Sequence, residues 1–201
     1  MLVAGLLISG FAVFGQSEAD DSKKVKYGFN LGINQSNTQS HGALPDNAVL
    51  SNNLGFRLGL LADFPIAKYL SFSPKTELSF NNSKVDFTNG DGSQTAYEIM
   101  PVGIDLMAHF VFKEQNQKWS PYFFLGPNFK IPVTEKNTDP TSYSTNPDFA
   151  IDFGIGFDRA FTHFHLAPEL RYSYGLLNVN QNPTLQNLNF HNISLVFNFL
   201  G

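Results

Sequence analysis

Nine ionisable side chains along this 201-residue chain have the types and spacing to act together: Arg57, Lys75, Glu77, Asp105, His109, Lys130, Asp152, Glu169 and Arg171. Lys75 and Glu77 are two residues apart, as are Glu169 and Arg171, so in extended chain each pair leaves the backbone on one side. A set with both signs could relay protons, supply carboxylates for acid–base chemistry, or neutralise itself in ion pairs. His163 and His165 share a face at a spacing that can chelate a metal, but no firm third ligand lies near them. Ser173, between Tyr172 and Tyr174, is the one serine placed like a nucleophile, and no histidine stands convincingly beside it.

The elements that must position these groups are strands. Val25, Tyr27, Phe29, Leu31 and Ile33 alternate with Lys26, Gly28, Asn30, Gly32 and Asn34, the period of a strand between two different solvents. The pattern returns with Leu54, Phe56, Leu58 and Leu60, then with Leu70, Phe72, Leu78 and Phe80 running on towards Val85 and Phe87. A fourth segment sets Met100, Val102, Ile104, Leu106, Ala108, Phe110 and Phe112 against Tyr97, Pro101, Gly103, Asp105 and His109. Further strands carry Trp119, Phe123, Leu125, Phe129 and Ile131; Phe149, Ile151, Phe153, Ile155 and Phe157; Phe164, Leu166, Leu170, Tyr172 and Tyr174; and finally Ile193, Leu195, Phe197 and Phe199.

Which solvent meets the apolar face decides the class of protein. Charged residues make up only 15% of the chain, where soluble domains average about a quarter. The polar faces are mostly Gly, Asn and Ser, too small and uncharged for a solubilising skin but suited to a narrow interior. The expected fold is therefore all-β: an eight-stranded antiparallel transmembrane β-barrel, an up-and-down meander with oil outside. Phe29, Leu58, Leu106, Phe110, Phe153, Ile155, Leu170, Leu195 and Phe197 are expected to face lipid, and the nine ionisable residues to form a polar network in the lumen. Eight strands enclose just enough space for side chains, so a filling of paired charges is expected ahead of an ion path or a catalytic dyad.

Residues 1–16 read as a secretory signal peptide, apolar from Met1 to Gly15 and then polar, although no Lys or Arg precedes the apolar run. Residues 17–201 are then the barrel domain. Long polar segments, among them Gln35 to Asn53 and Val133 to Asp148, alternate with short turns, which places both termini in the periplasm. Trp119, Tyr27, Tyr69, Tyr172 and Tyr174 fall near strand ends, as interfacial aromatics do. With no cysteine, thiolate catalysis and Cys-ligated metals are excluded, and a net charge of −4 gives no sign of a nucleic-acid partner.

Four stretches, Tyr97-Glu98-Ile99-Met100-Pro101-Val102, Ser120 to Pro127, Asp152 to Asp158 and Leu166 to Gly175, together resemble the PorT-like outer-membrane β-barrels of Bacteroidota. The resemblance spans nearly all of the chain after the leader. It implies a cell outer membrane location and, through one member of that family, a link to type IX secretion and gliding motility. The terminal strand ending near Phe197 and Phe199 resembles the signal by which outer-membrane barrels are recognised for assembly.

The expected function is non-enzymatic: a structural or accessory subunit of an outer-membrane protein complex, with membrane lipid and protein partners and no cofactor or metal. The alternatives are a small barrel enzyme acting on lipid or lipopolysaccharide, and a soluble ligand-binding barrel.

Overall fold

The computed structural model describes residues 24–114, 118–133 and 145–201, so the leader reading of residues 1–16 lies outside the described residues. Nine strands follow in order: β1 (Lys26–Ser40), β2 (Ala48–Ala67), β3 (Leu70–Thr88), β4 (Gln94–Glu98), β5 (Val102–Phe112), β6 (Trp119–Pro132), β7 (Asp148–Ala160), β8 (His165–Gly175) and β9 (Leu188–Leu200). Consecutive strands pair antiparallel except β4 and β5, which both pair with β3, and β9 pairs with β1, closing the sheet. Both β4 and β5 pair with β3 in one continuous register, Lys84↔Glu98 above and Phe80↔Val102 below, so together they make a single stave of an eight-stranded barrel.

Closure satisfies the backbone without edges, which a hydrocarbon solvent demands. The outward positions are apolar and exposed, including Phe29, Leu58, Leu106, Phe110, Phe153, Ile155, Leu170, Leu195 and Phe197, while Phe199 is half-buried. Many outward rings meet at the same register of neighbouring strands: Phe56 and Phe80 stack at 4.3 Å, Phe112 and Phe123 at 4.6 Å, Phe29 and Phe199 at 4.9 Å. Such cross-strand pairs help pin the register.

Two features depart from the sequence expectation. The polar segment Gln35 to Asn53 is largely strand: β1 continues to Ser40 along β9, and β2 begins at Ala48 along β3. At 20 residues, β2 is about twice the length needed to span a bilayer, so its outer half projects beyond the apolar belt. There the ladder between β1 and β2 ends at Gln35↔Leu54, and side chains take over: the Thr38 amide donates to Asn52 Oδ1 at 2.9 Å, and Asn52 Nδ2 donates back to the Thr38 carbonyl at 3.3 Å.

The second departure is Met100, which alternation places on the outward face beside Val102. It is instead fully buried, because its φ of 47° turns the chain between β4 and β5 and sends it inward with Ile99. The register survives this turn: the Ile99 amide donates to the Ser83 carbonyl at 2.8 Å, and the Asn81 amide to the Pro101 carbonyl at 2.8 Å. A left-handed non-glycine residue costs on the order of 1–3 kcal/mol. Its surroundings offset this, for Met100 and Ile99 pack with Val85, Tyr97, Leu188 and Phe190, joined by Val179 and Leu185 from the 176–187 loop. This apolar cluster fills the lumen at the end remote from the termini.

Candidate functional site

Inward positions of every stave converge on the lumen. All nine ionisable residues singled out from the sequence lie there, each no more than 4% exposed. Four cations (Arg57, Lys75, Lys130, Arg171) face four carboxylates (Glu77, Asp105, Asp152, Glu169), with His109 beside them. The centre of the network is Arg171. Its Nη1 and Nη2 donate to the two oxygens of Glu77, both at 3.0 Å, and its Nε and Nη2 donate to Glu169 Oε1 at 3.0 and 2.7 Å.

Arg57 Nη1 donates to Glu77 Oε2 at 3.0 Å and its Nη2 to Asp105 Oδ2 at 3.3 Å, with Lys130 Nζ 3.8 Å from the same Asp105 oxygen. Lys75 Nζ donates to Glu169 Oε2 at 2.7 Å. Every charge in this layer therefore has an opposite partner, the condition under which buried ions persist. Glu169 and Arg171 reach Lys75 and Glu77 across the barrel axis rather than along adjoining strands, since β3 and β8 do not pair. On the side of this layer nearer the termini, between the Lys75–Glu169 pair and Lys113, lies a cavity of about 20 Å³, room for about one water molecule, lined also by Leu61, Tyr122 and Asn198.

Asp152 organises a second group. It accepts from Ser173 Oγ at 2.6 Å and from Asn128 Nδ2 at 3.1 and 3.2 Å, and His109 Nε2 lies 3.1 Å from its other oxygen. Serine, aspartate and histidine thus meet, but in the wrong order for nucleophilic catalysis. The carboxylate stands between the other two, so Ser173 donates to an acceptor and has no histidine to take its proton. The three are buried, away from any lipid substrate.

His163 and His165 do not act as a chelating pair. His165 Nδ1 lies 2.9 Å from Asp158 Oδ1, while His163 is exposed in the turn before β8. Among the described residues no cluster of His, Cys, Asp or Glu could hold a metal ion. Near the termini a third charged group closes the lumen: Lys113 Nζ donates to Asp63 Oδ2 at 2.8 Å and to Asp158 Oδ2 at 3.0 Å. Burial lowers the affinity of Lys113 for its proton, but the two carboxylates more than offset this and hold its pKa above the usual lysine value.

Sequence reasoning passed over the neutral members of the network, of which Asn34, Asn81 and Asn192 form a bonded row above the charges and Asn30 donates to Glu77 Oε1 at 2.8 Å. Their parity with the charged residues was the available signal. The apolar cluster around Met100 and Phe190 had none, because an inward apolar residue at a strand end looks like an outward one.

A closed eight-stranded barrel with an apolar wall and a filled polar lumen defines the class of integral membrane barrels. The chain belongs to the outer membrane protein beta-barrel domain family, whose profile matches residues 14–181, and the protein resides in the outer membrane. Among solved structures it is similar to Neisserial surface protein A (NspA), at 13% identity over 88% of this chain and 98% of that one, with a TM-score of 0.55. OprG from Pseudomonas aeruginosa aligns at 14% identity over 89% and 94% of the two chains, TM-score 0.48. Ail, the attachment invasion locus protein of Yersinia pestis, in complex with the heparin analogue sucrose octasulfate, aligns at 14% over 89% and 99%, TM-score 0.45. No curated protein matches the sequence.

Proposed function

We propose that this protein is a non-conducting, non-enzymatic barrel that serves as a structural or accessory subunit of a larger outer-membrane complex. The observation that carries this reading is the filled lumen: charges paired to neutrality through the middle, Lys113 and its carboxylates at one end, the apolar cluster around Met100 at the other. A barrel stopped along its length has its wall and its projecting outer strands left to work with. The outward row from Phe29 to Phe197 then meets lipid, residues 1–16 are removed as a leader, and Phe197 and Phe199 contribute to recognition by the assembly machinery. The resemblance to PorT-like barrels supports type IX secretion or gliding machinery as the kind of complex. The order serine, aspartate, histidine around Asp152 favours this reading over a lipid-modifying enzyme.

Affinity purification of the tagged chain from detergent-solubilised native membranes, with cross-linking mass spectrometry, tests the accessory role. A reproducible, stoichiometric partner cross-linked to the outer strands is expected; repeated recovery of the barrel alone sinks the reading. In planar bilayers the purified protein is expected to give no steady conductance.

A further inference from the structure

The outward face carries an arginine that the lumen does not use. Arg159 follows Phe149, Phe153, Ile155 and Phe157 on the outward row of β7, and it is exposed. From Phe149 to Phe157 the strand climbs roughly 26 Å, or about 20 Å along the membrane normal at the usual tilt. This approaches the height of a barrel's apolar belt, about 25 Å. Arg159, one step further, therefore stands where hydrocarbon gives way to headgroups, at the end of the barrel that holds both termini.

Its guanidinium is built into an aromatic clamp. Trp119 is its cross-strand partner on β6, with the guanidinium carbon 4.3 Å from the indole ring centre, and Phe161 lies 4.7 Å away on the other contact. Phe164 stacks on Phe161 at 4.9 Å, and Phe157 braces Trp119 at 5.0 Å. Among the described residues no carboxylate side chain pairs with Arg159: adjacent Asp158 points inward, with one oxygen on Lys113 and the other on His165. Glu114, the exposed carboxylate described at this end, interacts with Lys68. Lys118, also exposed, is tied to the same place, its carbonyl accepting from the Ala160 amide at 3.1 Å.

We propose that Arg159, Trp119 and Phe161 form a binding site for the phosphate of an anionic phospholipid in the periplasmic leaflet. Contact with the two rings holds the guanidinium in place without using its N–H groups, which can then take a phosphate in a two-bond fork. The aromatic rings occupy the boundary where acyl chains meet headgroups. Lys118 adds a second cation, which favours a headgroup carrying net negative charge over a zwitterionic one.

Trp119 is the single tryptophan of the chain, so its fluorescence reports on this site alone. The folded barrel in maltoside micelles is titrated with short-chain phosphatidylglycerol, in parallel with phosphatidylcholine and with glycerol phosphate, and folding of each variant is checked by heat-modifiable migration. A saturable change in Trp119 emission is expected with phosphatidylglycerol, its half-saturation about fivefold weaker in Arg159→Gln and intermediate in Arg159→Lys, which keeps the charge but not the fork. Equal curves for the wild type and Arg159→Gln overturn the proposal. Should Arg159→Gln not fold, equal curves for the wild type and Arg159→Lys overturn it too. Saturation by glycerol phosphate as readily as by the lipid also overturns it, showing a site for soluble anions.

Discussion

Arg171 and Glu77 meet across the barrel axis through two parallel hydrogen bonds of 3.0 Å, although the strands that carry them are not neighbours in the sheet. The pair is a strut between opposite walls. Glu77 also receives Arg57 and Asn30, and Arg171 also holds Glu169, so the strut is shared by five side chains from four strands.

Removing one end of such a pair leaves a buried charge without its partner, which costs on the order of 3–5 kcal/mol. Arg171→Met is therefore expected to lower the stability of the refolded barrel by about that amount in urea titration from lipid vesicles. Glu77→Gln should cost a comparable amount, because Arg171 and Arg57 each lose one of their two carboxylates and the network is left one negative charge short. The double variant should lose less than the sum, since neither charge is then left alone. Additive losses would show that the fork contributes no coupling.

The apolar cluster at the outer end predicts a more local effect. Phe190 is fully buried in it, and truncation of a buried phenylalanine typically costs about 3–5 kcal/mol. Because Val179 and Leu185 belong to the 176–187 loop and pack on the same cluster, Phe190→Ala should loosen that loop first. Limited proteolysis from outside intact cells is expected to cut the variant within residues 176–187 while the belt stays resistant. Unchanged cutting rates would show that the loop is held by its asparagine hydrogen bonds alone.

These two regions differ in how far the sequence revealed them. Within the belt, hydrocarbon on one side and a polar lumen on the other impose strict alternation, so the inward parity of Lys75, Glu77, Glu169 and Arg171 could be read directly. Their partners could not, since a contact between β3 and β8 depends on barrel closure rather than on neighbouring register. Beyond the belt, both faces of a strand meet polar surroundings and the period of two fades. That is why Gln35 to Asn53 looked like a loop although most of it is paired. The inward turn at Met100 was hidden for another reason: its positive φ is sustained by a tertiary cluster, and local sequence carries no trace of it.

The inner face also has little spare room. Gly156 lies opposite Tyr122 and Gly154 opposite Phe124, and the two rings lie over these glycines. A Cβ at Gly154 would sit 2.6 Å from Phe124 Cζ, and one at Gly156 would collide with the Tyr122 ring. Gly156→Ala must therefore displace Tyr122 and its 3.3 Å hydrogen bond to Glu169. A loss of roughly 1–3 kcal/mol is expected by urea titration, the scale of overpacking in a filled interior. Tyr122→Leu in the same background should recover part of it by vacating the space, and no recovery would place the strain in the backbone instead.

Lys113 makes stability depend on pH at the alkaline end. Its ammonium is held by Asp63 and Asp158, and its pKa in the folded barrel lies above the ordinary lysine value of about 10.4. A group whose affinity for protons rises on folding stabilises the protein in its protonated form. That contribution is fully present below the unfolded value and is lost as pH rises through the folded one. Urea midpoints of the refolded barrel should therefore gain nothing from Lys113 as pH rises from 7 to about 10, then fall above it. Lys113→Met should lower the midpoint at neutral pH, because it leaves two carboxylates facing each other, and should flatten the alkaline fall. An alkaline limb of the same steepness in the variant would assign it to other groups.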